Sequence, residues 1–275
     1  SFVTAQQAVE TLGQITLLPR DGTGGSAKRD YTGSLEFRDV AFAYPGSKVP
    51  LFERFSLAIE PGRTTLVIGA NGTGKSTLAR LIVGLIEPGR GEILADGINL
   101  LQIAPEWWRR QIVFLPQEPV LLTASIEENI GVNNHSLDER GVQSLIDRVG
   151  LRGFIDESAD GIRTMVQDNG RSLAVGIRRR IALARALATN GSLVILDEPT
   201  ESFDKDGREI MGTVVSELHR KGCTIIAFSH DRVAFKGADI LVDLNSKPIP
   251  EIVQNSRPEK TTSPNGPTTA SEAAS

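Results

Sequence analysis

Residues 69–76 read Gly69-Ala70-Asn71-Gly72-Thr73-Gly74-Lys75-Ser76 and follow directly on the apolar run Leu66-Val67-Ile68. Glycines in such a loop let backbone N–H groups turn inward around phosphate oxygens, and the positive end of a helix starting near Lys75 adds to the attraction. In this G-x-x-x-x-G-K-[ST] pattern Lys75 would hold the β- and γ-phosphates of a nucleotide and the Ser76 hydroxyl would ligate Mg²⁺, with Thr77 beside them. A phosphate loop needs a second strand that brings carboxylates to the metal. Leu193-Val194-Ile195-Leu196-Asp197-Glu198 is an apolar run ending in two acids, an arrangement that is costly in a buried strand unless a cation meets them. Asp197 would hold Mg²⁺ through water, and Glu198 would act as general base or orienter for an attacking water. The run Thr224–Phe228 ends at Ser229-His230, which sets His230 where ligands of parallel sheets collect and within reach of a γ-phosphate.

These residues need strands and helices to position them. Leu35, Phe37, Val40 and Phe42 alternate with one slip near Asp39, which predicts a strand with a bulge. Further strand-like runs lie at Phe55–Ile59, Thr65–Ile68, Gly91–Leu94, Ile112–Leu115, Leu193–Leu196, Thr224–Phe228 and Ile240–Leu244. Helical patterns fall between several of them, at Lys75–Leu85, Asp138–Val149, Ile177–Ala188 and Asp206–Arg220. Alternation of this kind predicts an α/β fold with a largely parallel sheet.

Composition bounds the remainder. The chain has 275 residues, 30 Lys+Arg against 34 Asp+Glu, a net charge of −4, 40% hydrophobic and 23% charged residues, which is ordinary for a soluble globular protein. No stretch reaches the roughly 18 consecutive apolar residues of a membrane span. Cys223 alone excludes an internal disulfide or a multi-cysteine metal site, and scattered His135, His219 and His230 form no cluster, so a reducing cytosolic setting is expected. Cys223 itself reads as an inert core thiol. The acidic balance argues against nucleic acid as a partner, and Arg178-Arg179-Arg180, without interleaved aromatics, reads as a charged outer helix face. Trp107 and Trp108 pack either on the core or against a coupling helix. Phe2, Ala5, Val9, Leu12 and Ile15 predict an amphipathic helix over 1–18, followed by a glycine-rich linker to residue 33. Periodicity is lost beyond Asn245, so 246–275 is expected to be a disordered tail. A start at Ser1 without a signal-peptide pattern points to a piece of something longer.

Taken together, residues 34–245 resemble the nucleotide-binding domain of ABC transporters, the exporters in particular. That resemblance implies a P-loop NTPase fold with a mostly parallel central sheet, an antiparallel β subdomain and a helical subdomain over about 118–176, binding ATP and Mg²⁺. It implies that Tyr44, in Phe42-Ala43-Tyr44-Pro45, stacks on adenine. It also makes Gln117 a residue that reaches Mg²⁺ and the water, and Glu201-Ser202-Phe203-Asp204 a loop that crosses a dimer interface. The segment from Gln117 to Leu173 carries no long heptad run, which suits a transporter better than a chromosome-maintenance ATPase with a long coiled coil. Ser125-Ile126-Glu127-Glu128-Asn129-Ile130 is similar to an exporter segment. Thr164-Met165-Val166-Gln167-Asp168-Asn169-Gly170 resembles the exporter loop Thr-x-Val-Gly-Glu-x-Gly, with Gln167 in place of its glycine and Asp168 in place of its glutamate. The N-terminal helix and linker look like the exit of a transmembrane domain, placing the domain at the cytoplasmic face of a membrane.

One motif departs from the family. Members work as head-to-tail dimers in which the signature of one subunit, Leu-Ser-Gly-Gly-Gln, closes over ATP held by the other. Here it reads Leu173-Ala174-Val175-Gly176-Ile177. Ala174 lacks the hydroxyl that would bond a phosphate, and β-branched Val175 crowds a place where glycine allows close approach. An intact catalytic half joined to this signature points to an asymmetric dimer with a partner whose signature is intact, the alternative being a homodimer with two impaired sites. Other readings are an ATP-binding regulatory switch with little hydrolysis and a soluble, non-transport ABC ATPase.

Overall fold

The computed structural model describes residues 30–47, 49–134, 136–231 and 237–254. The expected N-terminal helix, the linker up to residue 29, His135 and residues 255–275 lie outside them. Strand β1 (Leu35–Phe42) buries Leu35, Phe37, Val40 and Phe42, and its pairing slips between Phe37 and Val40. Asp39 sits in the slip at φ 51°, so the bulge lies where the alternation breaks. Across from it Gly91 has φ 78°, and a Cβ there would strike the carbonyls of Arg38 and Asp39. Only glycine lets β4 (Arg90–Ala95) pass the bulge. With β2 (Phe52–Ile59) and β5 (Ile98–Asn99) these strands make an antiparallel sheet in the order β2-β1-β4-β5.

The second sheet has the order β10-β9-β3-β8-β7-β6, β10 being Glu251–Gln254. Its parallel members are β3 (Thr64–Ile68), β6 (Ile112–Leu115), β7 (Leu193–Asp197), β8 (Thr224–Ser229) and β9 (Ile240–Asp243). Every residue of β7 and β8 is buried, as expected of central parallel strands covered on both faces. Helix α1 (Lys75–Ile82) follows β3. In the sheet Ile68 lies beside Ser229 and Phe228 beside Asp197, so the phosphate loop, the acid pair and His230 all emerge at one edge.

Among the described residues five α-helices follow before β7: α2 (Pro105–Arg110), α3 (Ile126–Gly131), α4 (Glu139–Arg148), α5 (Arg152–Glu157) and α6 (Val175–Leu187). A sixth, α7 (Lys205–Arg220), joins β7 to β8. Side chains cap several: Ser125 and Glu128 form a capping box on α3, Asp138 caps α4 and Asp204 caps α7. One core cluster joins Val194 and Leu196 of β7 to Ile126, Ile130, Ile146 and Ile181 of the helices. Another fills the space between the two sheets and takes in α1 and Trp108.

Trp108 is buried on this core and its indole N–H donates to the Ile82 carbonyl at 2.8 Å; Trp107 packs partly buried on the same cluster. Cys223 is buried, and burial pushes its thiol up from the ordinary range. The expectation of a disordered tail from 246 needs correction. Ordered chain continues through Lys247-Pro248, and β10 (Glu251–Gln254) pairs antiparallel with β9. Edge pairing with a preformed strand stabilises a segment whose own composition has little periodicity.

Candidate functional site

The phosphate loop turns between β3 and α1. Gly74 starts the helix at φ 107°, and a Cβ there would lie 2.7 Å from Leu51 Cδ2, so the position needs glycine twice over. The loop is held by its own side chains: Thr73 Oγ1 donates to the Ala70 carbonyl at 2.9 Å, and Lys75 Nζ donates to the Gly69 carbonyl at 2.6 Å. Lys75 is buried, with its ammonium 3.2 Å from Glu198 Oε1. His230 Nδ1 lies 3.0 Å from Glu198 Oε2. Five expected residues, Lys75, Ser76, Asp197, Glu198 and His230, therefore meet in one place, contributed by the start of α1 and the ends of β7 and β8.

Asp197 is 3% exposed. Burial raises its carboxyl above the ordinary carboxylate range, and a hydrogen bond from Ser76 works in the opposite direction. Asp197 Oδ1 has no hydrogen-bond partner among the described residues. A buried carboxylate oxygen without a donor is what a cation ligand requires, so the Ser76–Asp197 pair fits Mg²⁺. Glu198 takes φ 47°, a left-handed conformation that costs a non-glycine residue about 1–3 kcal/mol. Its backbone N–H donates to the Phe228 carbonyl at 2.9 Å, and its own carbonyl accepts from Glu201 N at 3.1 Å and from Arg179 Nη2 at 2.8 Å.

Two expected residues stand apart from this cluster. Gln117 Nε2 donates to Glu201 Oε2 at 2.9 Å. Tyr44 is half-exposed, with its hydroxyl 2.7 Å from Thr77 Oγ1 and its ring edge-on to Phe42. The described residues also include contacts that sequence reading missed. Ala70 N donates to Asn245 Oδ1 at 2.9 Å, and Lys247 Nζ donates to the carbonyls of Thr73 and Leu51, both at 2.5 Å. The segment after β9 thus holds the phosphate loop from outside, a long-range contact that no local pattern in the sequence signals.

The charged-face reading of Arg178-Arg179-Arg180 is corrected as well. Arg179 is 1% exposed, and Arg180 bonds the Gly150 carbonyl and Asp204. Arg179 is accommodated because two backbone carbonyls and the Phe203 ring, 5.3 Å from its guanidinium carbon, receive it. At the start of α6, Ala174 occupies the N-cap with no side-chain hydrogen bond, and Val175 is 46% exposed.

Comparison with known proteins agrees with this geometry. A family model described as ABC transporter matches residues 52–201. Antigen peptide transporter 2 of Rattus norvegicus is 33% identical over 235 residues, 85% of this chain and 33% of the relative. The alpha-hemolysin translocation ATP-binding protein HlyB of Escherichia coli is 32% identical over 247 residues, 89% of this chain and 34% of the relative. ATP-binding cassette sub-family B member 5 of Homo sapiens is 35% identical over 224 residues, 80% of this chain and 18% of the relative. The chain spans about a third or less of the length of these relatives. A bacterial Atm1-family ABC exporter solved with ATP bound shares the fold, with a TM-score of 0.76 at 24% identity over 86% of this chain and 41% of that one. With the family match covering more than half its length and the phosphate loop, acid strand and histidine assembled at one sheet edge, the chain is an ATP-binding cassette domain and belongs to the ABC transporter family.

Proposed function

We propose that this chain binds and hydrolyses ATP to power export of a substrate across a membrane, at its cytoplasmic face, working with a transmembrane domain and a second nucleotide-binding domain. The observation that carries the reading is the 3.2 Å approach of Lys75 to Glu198 beside the unpartnered Oδ1 of Asp197. It brings a phosphate-binding cation, a metal ligand and a base within one side chain of each other. A γ-phosphate competes with Glu198 for the Lys75 ammonium, so nucleotide binding releases a Glu198 oxygen to accept a proton from water. His230, stationed by the other Glu198 oxygen, faces the same phosphate. Ser76 and Asp197 are the residues that would hold Mg²⁺, joined by Gln117 once its side chain leaves Glu201, and the ion when bound would neutralise charge on the phosphate oxygens. The exposed face of the Tyr44 ring would carry adenine, with Asn71, Gly72 and Thr73 around the phosphates.

The bare, uncapped start of α6 supports the asymmetric version of this reading. Ala174 offers no hydroxyl to a partner's phosphate and Val175 projects from the same turn, so this chain completes the opposite site poorly while keeping its own catalytic half. The same observation is what a binding switch with little hydrolysis would show. Steady-state ATPase measurement on the full chain alone separates them: slow turnover that a partner with an intact signature accelerates supports the asymmetric motor. Fast, cooperative turnover by the chain alone contradicts the asymmetry, and ATP binding without turnover in any pairing supports the switch.

A further inference from the structure

We infer that Arg179 is a positioning residue that ties the signature helix to the chain's own catalytic edge, so that one side chain links the two nucleotide sites of a dimer. This rests on the reading of the site given above. Arg179 lies one turn into α6, whose first residues form the signature. Its guanidinium leaves that helix and ends between two loops: Nη1 donates to the carbonyl of Gln117 at 2.7 Å, and Nη2 to the carbonyl of Glu198 at 2.8 Å. Its guanidinium carbon lies over the Phe203 ring, 5.3 Å from the centroid, in the loop expected to cross the dimer interface. Gln117 in turn bonds Glu201 of that loop. Glutamine loop, base and interface loop are therefore joined around one buried cation.

Three physical features make this more than packing. Glu198 is held in a left-handed conformation, and a strained residue keeps its place only where its surroundings over-determine it; Arg179 supplies one of the bonds to its carbonyl. A guanidinium is a planar fork that reaches two carbonyls at once and lies flat on an aromatic ring, which an ammonium cannot reproduce. Finally, burial penalises the Arg179 charge while Glu201, Asp197 and Glu198 favour it, so the cation also offsets the acids gathered there. A movement of α6 on closing over a partner's nucleotide would thus pull on Gln117 and Glu198 in the same subunit.

The test uses Arg179→Lys, which keeps the charge and most of the stem, and Arg179→Met, which keeps the volume, both in the full chain. Amide hydrogen exchange is followed in the wild type and both variants without nucleotide. The proposal expects exchange in 117–122 and 199–204 to accelerate together by about tenfold or more, with 193–197 and 224–228 unchanged. ATP affinity without metal, set by Lys75 and the phosphate loop, is expected to stay within about threefold. With Mg²⁺ present, kcat is expected to fall about tenfold or more at nearly constant KM. If Met does not fold, Lys carries the test. Wild-type exchange in both loops in a folded variant, or an unchanged kcat, overturns the inference. A wild-type chain that binds no ATP overturns the proposed function instead, and the exchange experiment, which needs no nucleotide, still decides the role of Arg179.

Discussion

The start of α6 makes a quantitative prediction for Ala174→Ser. Helices α3, α4 and α7 each begin with a Ser or Asp whose oxygen accepts a backbone N–H, while α6 begins with Ala174 and no side-chain acceptor. Ala174 has φ −53° and ψ 141°, close to the φ −64° and ψ 165° at which Ser125 caps α3, and its carbonyl already accepts the first helical bond from Arg178 N at 3.0 Å. A serine would enter this backbone without rearrangement. As an N-cap it should add about 0.5–2 kcal/mol. At roughly 2–4 °C per kcal/mol for a domain of this size, Tm should rise measurably. The same hydroxyl can donate to a partner's phosphate, a charge-assisted bond worth about 1.5–3 kcal/mol. If that bond forms in the transition state it amounts to about a 10- to 150-fold gain in turnover at the opposite site. Adding Val175→Gly clears the approach at a helix-propensity cost of about 0.5 kcal/mol or less. Calorimetry of the single variant tests the capping step, and ATPase of the assembled dimer tests the phosphate step. An unchanged Tm refutes the cap argument, and unchanged turnover in the double variant refutes the view that the signature limits the opposite site.

Two further outcomes follow from the phosphate loop and the acid strand. Because burial holds the Asp197 carboxyl above its unfolded value, the stability it contributes is present below the unfolded value and lost as pH rises through the folded one. Ionisation of this group therefore opposes folding, so Asp197→Asn should abolish the loss of stability that the wild type shows as pH rises in metal-free buffer, while losing Mg²⁺-dependent ATP binding. Thermal melts on both sides of the carboxylate range check this, and the same loss of stability in the variant contradicts it. Lys247→Met removes the ammonium that joins the carbonyls of Thr73 and Leu51. ATP affinity should fall several-fold with kcat little changed, since only the outer support of the loop is lost; equilibrium titration reads it, and an unchanged Kd refutes the support.

Much of the site was legible because its chemistry is local. The glycines and Lys75 lie within one loop, and Asp197-Glu198 ends a run apolar enough to be a central strand, so pairing β3, β8 and β7 in parallel was sufficient to bring them together. The break in alternation at Asp39 marked the bulge for the same reason. What escaped depended on long-range partners. Three consecutive arginines look solvated until Gln117, Glu198 and Phe203, contributed by other elements, give the middle one two carbonyls and a ring. The segment after Leu244 has no periodicity of its own and becomes ordered by pairing with β9 and by Lys247 reaching the phosphate loop. Trp108 was ambiguous until the Ile82 carbonyl at the end of α1 appeared as the acceptor for its indole.

We propose that this chain carries a complete catalytic half whose base is Glu198. Single-turnover hydrolysis of bound Mg-ATP, measured on wild type and Glu198→Gln with ATP affinity determined in parallel, tests it most directly. Glu198→Gln is expected to retain ATP at near wild-type affinity, since Lys75 and the phosphate loop remain, while the hydrolytic rate falls by about 100-fold or more. Hydrolysis at the wild-type rate by the variant would contradict it.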